Sequence, residues 1–141
     1  MLFRATRDGF PKNNFNEKCD GKTYTVAFVI TPIGTRFGGF TDQAWDKSNS
    51  YKTWFNGFIF SLDSKEIYYN KNSSYNIYYS RSYGPALGRG FDFYLWDNCN
   101  TSNSSSNHSG NLYETYGKKC VMTGTNNFYV KDYEVYQIEL E

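Results

Sequence analysis

The chain has one histidine, three cysteines and three prolines, and no apolar run approaching the ~20 residues needed to cross a bilayer. Each shortage excludes something. A nucleophilic triad needs a base held in fixed geometry. The only histidine, His108, lies in an Asn/Ser-rich stretch, and no Gly-x-Ser-x-Gly elbow is present. Cys19, Cys99 and Cys120 are odd in number and lack CxxC spacing, which argues against a disulfide framework and against a zinc site. Reduced thiols in a cytoplasmic protein are the expectation. The four Asn-x-Ser sequons, at Asn72, Asn100, Asn103 and Asn107, fall in Asn/Ser-rich stretches where chance matches are expected. The formal net charge of +1, with Lys and Arg dispersed among Asp and Glu, leaves no electrostatic footprint for nucleic acid or an anionic membrane. Leu and Ala are scarce, so helices should be few and short.

Aromatic residues are what the chain has in abundance: 14 Tyr, 12 Phe and 3 Trp, 21% of the total. Such residues fit a pleated, half-buried surface, so the composition leans to strands. Hydrophobic residues at 39% supply a core, and 141 residues suit one domain without an internal boundary. The N-terminus has no signal-peptide layout and begins abruptly in a strand at 2–5, as expected of a piece of a longer protein.

After that strand, Arg7-Asp8-Gly9 forms a turn. Pro11 opens a short helix, Asn13 or Asn14 caps it, and Gly21 ends it, with Phe15 and Cys19 on one face. Residues 23–30 are apolar or β-branched on both parities, which places this strand near the middle of a sheet. Ile33-Gly34 turns into a hairpin partner at 35–40, where Gly38-Gly39 implies a bulge or a close backbone approach. Trp45 sits in a polar loop over 41–53. A strand at 55–62 carries Phe58, Phe60 and Leu62 on one face, followed by outer strands at 67–69 and 75–79. Gly84, Gly88 and Gly90 make a corner feeding the strand 91–96, and 97–111 is a polar, mobile surface loop.

The closing strand, 128–140, contains an anomaly. Phe128, Val130, Tyr136, Ile138 and Leu140 share a parity with Asp132 and Glu134. Side chains alternate strictly along a strand, so either a bulge at 131–133 flips the face or a carboxylate points inward, with Arg4 or Arg7 as its partner. The bulge is favoured. In both cases the two chain ends meet in one sheet. The fold class is thus mainly β, two packed antiparallel sheets with one or two short flanking helices.

Other chemistry is thinly supported. The segment from Asp46 lacks the turn glycine and final Glu of a calcium loop. Gly84-x-x-x-Gly88-x-Gly90 is no phosphate loop. Glycosidase-type carboxylate pairs drawn from Asp92, Asp97, Glu114 and Glu134 cannot be placed. Trp45, Trp54 and Trp96 could stack on sugars in a carbohydrate- or small-molecule-binding sandwich, although core packing is the commoner use. Cys99, beside the polar loop, is the most accessible thiol for antioxidant chemistry. No cofactor is expected.

Taken in order, these blocks resemble the TLDc domain. Leu2-Phe3-Arg4-Ala5-Thr6-Arg7-Asp8-Gly9-Phe10 is similar to the family's opening strand and turn. Phe15 to Gly21 is similar to its short helix, Phe37-Gly38-Gly39-Phe40 with Trp45 to its glycine strand, and 56–62 to its Phe-Leu-Phe-Ser-Leu strand. Gly84-Pro85 with Gly88 to Leu95 resembles the glycine corner, and 128–136 the closing Val-Lys-x-x-Glu-Val strand. Departures are the missing helices before the first strand and the Asn/Ser loop, and the composition is like that of a protist relative.

The resemblance implies a β-sandwich without an established catalytic centre, a non-catalytic domain that binds a protein partner. It further implies vacuolar proton-pumping ATPase subunits as partners, resistance to oxidative stress as the outcome, and a cytoplasmic location, at organelle membranes through the partner. Arg7, Asp8, Gly9, Gly38, Gly39, Gly84, Gly88, Gly90 and Glu134 are the structural motif positions, and Trp45, Arg89 and Asp97 the candidate partner-facing ones.

Overall fold

The computed structural model describes residues 1–45, 57–69, 83–87, 93–102, 105–106 and 127–139. Within them lie β1 (Phe3–Arg4), α1 (Ala5–Asp8), α2 (Lys12–Cys19), β2 (Thr25–Ile30), β3 (Arg36–Thr41), β4 (Gly57–Ser61) and β5 (Glu66–Tyr69). They are followed by β6 (Tyr83–Leu87), β7 (Phe93–Trp96), β8 (Ser105–Ser106), β9 (Asn127–Phe128) and β10 (Asp132–Gln137). The strands form a six-stranded sheet, β1-β10-β2-β3-β4-β5, and a four-stranded sheet, β6-β7-β8-β9, with every pairing antiparallel. β2 lies inside the larger sheet, where a strand apolar on both faces belongs.

Alternation assigns the faces. Thr25, Ala27 and Val29 of β2, Phe37 of β3 and Ile59 of β4 are buried against the second sheet, and Leu95 of β7 and Phe128 of β9 join the same core. Phe37 meets Phe128 edge to face, centroids 5.5 Å apart, so the two sheets are joined ring to ring. The opposite face of the large sheet carries a second aromatic layer. Phe28 meets Phe60 at 5.5 Å and Tyr136 at 5.8 Å, and Phe40 stacks on Phe58 at 5.2 Å. A chain so rich in aromatics can furnish both faces of its main sheet.

The glycine strand settles between the two expectations held for it. The β2–β3–β4 register runs through Gly38 and Gly39 without interruption, so there is no bulge. It is a close approach. A Cβ on Gly38 would run into the Ala27 carbonyl and the Phe60 ring, which leans over the vacancy. Gly84 differs from the corner expected of it. It lies within β6, and its φ is not among the positive ones.

Three further corrections concern local structure. Ala5–Asp8 is a helical turn rather than part of a strand and an open turn, closed by Gly9 at φ 108°. α2 has Pro11 at its N-cap and no side-chain cap, while Asn14 donates to the Asp8 carbonyl at 2.6 Å instead. The Asn/Ser stretch is not simply a surface loop, since Ser105–Ser106 forms β8 and the Ser105 side chain is fully buried. The expected strand 75–79, residues 46–53 of the polar loop, and Gly88, Arg89 and Gly90 lie outside the described residues.

The parity anomaly resolves as a change of sheet. Phe128 and Val130 are buried on even numbers, then Tyr133 and Val135 on odd ones. Between them Val130 N–H donates to the Cys99 carbonyl at 2.9 Å and Lys131 N–H to the Ile30 carbonyl at 2.8 Å, so the backbone passes from the small sheet to the large one. The face does flip at 131, through a crossover between sheets instead of a bulge within one strand. Ile138, expected inward, is accordingly exposed.

Replacing Gly38 by Ala should cost about 1–3 kcal/mol of stability, because backbone and ring must both move. Gly84→Ala, whose Cβ would meet its nearest atoms at 3.4–3.7 Å, should cost under about 1 kcal/mol. Urea unfolding of the two variants beside wild type checks the difference.

Candidate functional site

Once the face has flipped, Asp132, Glu134 and Tyr136 point to the outer side of the large sheet. Register then sets a straight row across it: Arg4, Glu134, Phe28, Gly38, Phe60, Ile67. At one end of this face Arg4 Nε donates to Asp132 Oδ2 at 3.0 Å and lies 3.3 Å from Glu134 Oε1. Asp132 also accepts from Thr6 N–H at 3.1 Å and from Thr6 Oγ1–H at 2.9 Å. Glu134 Oε2 accepts from the Tyr136 hydroxyl at 2.7 Å. The hydrogen bond from Asp132, then its charge and that of Glu134, raise the Arg4 pKa, and the bond to Glu134 raises that of Tyr136.

Two strands across from Asp132, beyond Ile30 of β2, Arg36 on β3 donates from its backbone N–H to Asp63 Oδ2 at 2.8 Å and from Nε to Asp63 Oδ1 at 3.1 Å. Arg4 and Arg36, with Asp132 and Glu134, line an open cleft of about 220 Å³ whose apolar lining comes from Phe28, Ile30 and Leu62. Sequence reading offered Arg4 or Arg7 as the partner of an inward carboxylate, whereas the structure pairs Arg4 with Asp132 and Glu134 on the outer face and adds Arg36, Asp63 and Thr6, which were not foreseen. The signal available for Arg36 was the Ile33-Gly34 turn, which puts Arg36 beside Ile30.

The other motif residues have local structural duties. Arg7 forks onto Asp8, Nε to Oδ1 at 2.9 Å and Nη2 to Oδ2 at 2.7 Å, while Asp8 Oδ2 also accepts from Arg4 N–H at 3.0 Å. The Arg7 bond, followed by that backbone bond, pulls the Asp8 carboxyl from 3.8 down to about 2. A Cβ on Gly9 would collide with Asn14, and its φ of 108° disfavours any side chain. Asp97, a candidate partner-facing residue rather than a motif position, accepts the Lys12 N–H through Oδ1 at 2.8 Å, an acid satisfying an orphan donor at the start of α2.

Trp45 is not partner-facing. It is 5% exposed, its Nε1–H donates to Thr25 Oγ1 at 2.9 Å, and its ring meets Phe15 at 5.5 Å. Its carbonyl accepts from Gly21 N–H at 2.7 Å, so it clamps the exit of α2 onto β2. Stacking of a sugar on Trp45 is therefore removed. Trp96 is 36% exposed but lies away from the cleft.

Cys99 reverses its expectation. It is 1% exposed, and burial pushes its pKa up to about 12, as it does for Cys19. A thiolate is the reactive species, and neither site favours one. Among the described residues no group of three or more His, Cys, Asp or Glu is placed to hold a metal ion. No helix among them is long and apolar enough to cross a membrane. His108, Cys120, Trp54, Asp92 and Glu114 lie outside the described residues.

A family model described as the TLDc domain matches residues 1–139. No curated protein matches the chain.

Two outcomes follow from this geometry. The folded-state pKa of Asp8 lies below its ordinary value, so its stabilisation is present above about 3.8 and is lost as pH falls toward 2. Asp8→Asn should flatten the stability-against-pH curve in that window, as followed by circular dichroism. Alkylation mapped by mass spectrometry should leave Cys19 and Cys99 unmodified in the native protein and label both after denaturation.

Proposed function

We propose, from the premise that the chain belongs to the TLDc family, a non-catalytic domain that acts by binding a protein partner. The partner proposed is the peripheral part of the vacuolar proton-pumping ATPase. Resistance to oxidative stress is the physiological outcome, exerted from the cytoplasm and at organelle membranes through the pump.

The observation that carries the reading is the family match over 1–139, nearly the whole chain. Two features of the geometry agree with it. Burial of Cys19 and Cys99 gives the described thiols no route to peroxide chemistry of their own, so stress protection is better supplied through a partner. The motif residues Arg7, Asp8 and Gly9 fix α1 beside β1, and Asp97, expected to face the partner, holds the start of α2, which suits a rigid scaffold presenting a surface.

Immobilised domain should retain purified peripheral sectors of the pump at micromolar concentration. The absence of retention at that concentration sinks the choice of partner.

A further inference from the structure

We infer that the cleft between Arg4 and Arg36 receives a carboxylate set beside an apolar side chain, carried on an extended segment of the partner protein. The inference rests on the interaction reading above and names the chemistry of the contact.

The two arginines are held from behind. Arg4 makes its side-chain hydrogen bond through Nε, to Asp132, and Glu134 lies against that same nitrogen. Its terminal Nη groups carry no hydrogen bond among the described residues. Arg36 is engaged on its side, Nε and Nη2 against Asp63, leaving Nη1. A guanidinium fixed at Nε keeps its end-on fork for a second carboxylate, the geometry in which arginine recognises acids best. Both arginines are about half exposed, so the fork of Arg4 and the remaining Nη1 of Arg36 are reachable.

The acids of the cleft do not fill that role themselves. Asp132 accepts three hydrogen bonds, from Arg4 Nε, Thr6 N–H and Thr6 Oγ1. Glu134 is shared between Arg4 and the Tyr136 hydroxyl. The guanidinium nitrogens left without a hydrogen bond among the described residues are both Nη of Arg4 and Nη1 of Arg36. Apolar surface lies between the two arginines, from Phe28 and Ile30 of β2 and Leu62 after β4, and Leu62 is 40% exposed. Donors at two walls and an apolar floor fit an acid next to an aliphatic side chain, whereas a purely acidic or purely apolar segment satisfies half of the site. At about 220 Å³ the cleft takes a residue or two, not a folded element.

The test titrates isotopically labelled protein with acetyl-leucyl-glutamate amide and follows backbone amide shifts. Expected are shifts at Ile30, Arg36, Leu62 and Glu134, with a response roughly tenfold weaker for the isosteric glutamine peptide and for acetyl-glycyl-glutamate amide. Acetyl-glycyl-leucine with a free C-terminus separates a chain-end carboxylate from a side-chain one. Arg4→Lys keeps the charge and loses the fork, and should weaken binding by a similar factor. Arg36→Gln, at the exposed shoulder of a hairpin, gives the same readout if Arg4→Lys fails to fold. Equal responses to the Glu and Gln peptides, shifts elsewhere on the domain, or undiminished binding by Arg36→Gln overturns the cleft. Peptide binding at the cleft without retention of the pump upholds the cleft and rejects the pump as its partner. Pump retention without any peptide response does the reverse.

Discussion

The reversal of face at Lys131 is the constraint on which the rest depends. Upstream of it Phe128 and Val130 fill the core from the small sheet, and downstream Tyr133 and Val135 fill it from the large one. Strand side chains alternate with a period of two, so a single residue added or lost between Val130 and Tyr133 exchanges the inner and outer sets of β10. Asp132 and Glu134 would then enter the core, and Tyr133 would leave it. Tyr133 is the centre of the aromatic packing there, 5.0 Å from Phe3 and 6.4 Å from both Phe10 and Phe15. The same reversal positions the outward carboxylates where β1 can meet them. Core and cleft are therefore two consequences of one backbone event.

Around that event the fold is held by close fits. Gly38 lets β3 accept the Phe60 ring over the sheet, and Trp45 ties the exit of α2 to β2 through ring, indole N–H and carbonyl together. α1 is a single turn, too short to persist by its own propensity. It is kept by Arg7 and Asp8 on one side and by Thr6 on Asp132 on the other. The charged network thus supports the local backbone of the N-terminal segment, and the apolar cores supply the main driving force.

Much of this was legible because it is periodic. Alternation over 23–30, the turn at Ile33-Gly34 and the glycines at 38–39 are enough to place β2 and β3 and to call for either a bulge or a close approach, between which only the register decides. Asp132 and Glu134 on an apolar parity announced a flip at the right residue, while Arg4 was one of two arginines offered only for a carboxylate that pointed inward. What had no period stayed hidden. Trp45 is one aromatic in a polar stretch, and nothing in its neighbours says that it turns inward. Cys99 and Ser105 sit in a run of Asn and Ser whose composition argues for solvent, yet each places one small side chain in the interior. Low complexity describes a segment's average, and two inward residues do not move the average. The cleft was half legible for a related reason. Its β10 wall is local, while its Arg36 wall follows only once register is known.

The charged residues of the N-terminal region and its contacts divide by what remains unspent. Asp8 has both oxygens occupied by Arg7 and Arg4, and Asp97 holds the Lys12 N–H at the start of α2. These groups are consumed by the fold, and an exposed ion pair of this kind adds little to stability beyond fixing local geometry. Arg4 is different. Its backbone N–H serves Asp8 and its Nε serves Asp132, so the residue is anchored twice and still retains the part of its side chain best suited to a second acid. A group held on two sides has little rotamer freedom left to lose on binding, which lowers the entropic cost of a contact at its free edge. The resemblance pointed to the motif turns and to Trp45, Arg89 and Asp97 as partner-facing residues. Counting hydrogen-bond capacity moves the interest to an arginine on the opposite face of the sheet, oriented by the very carboxylates that the parity anomaly revealed.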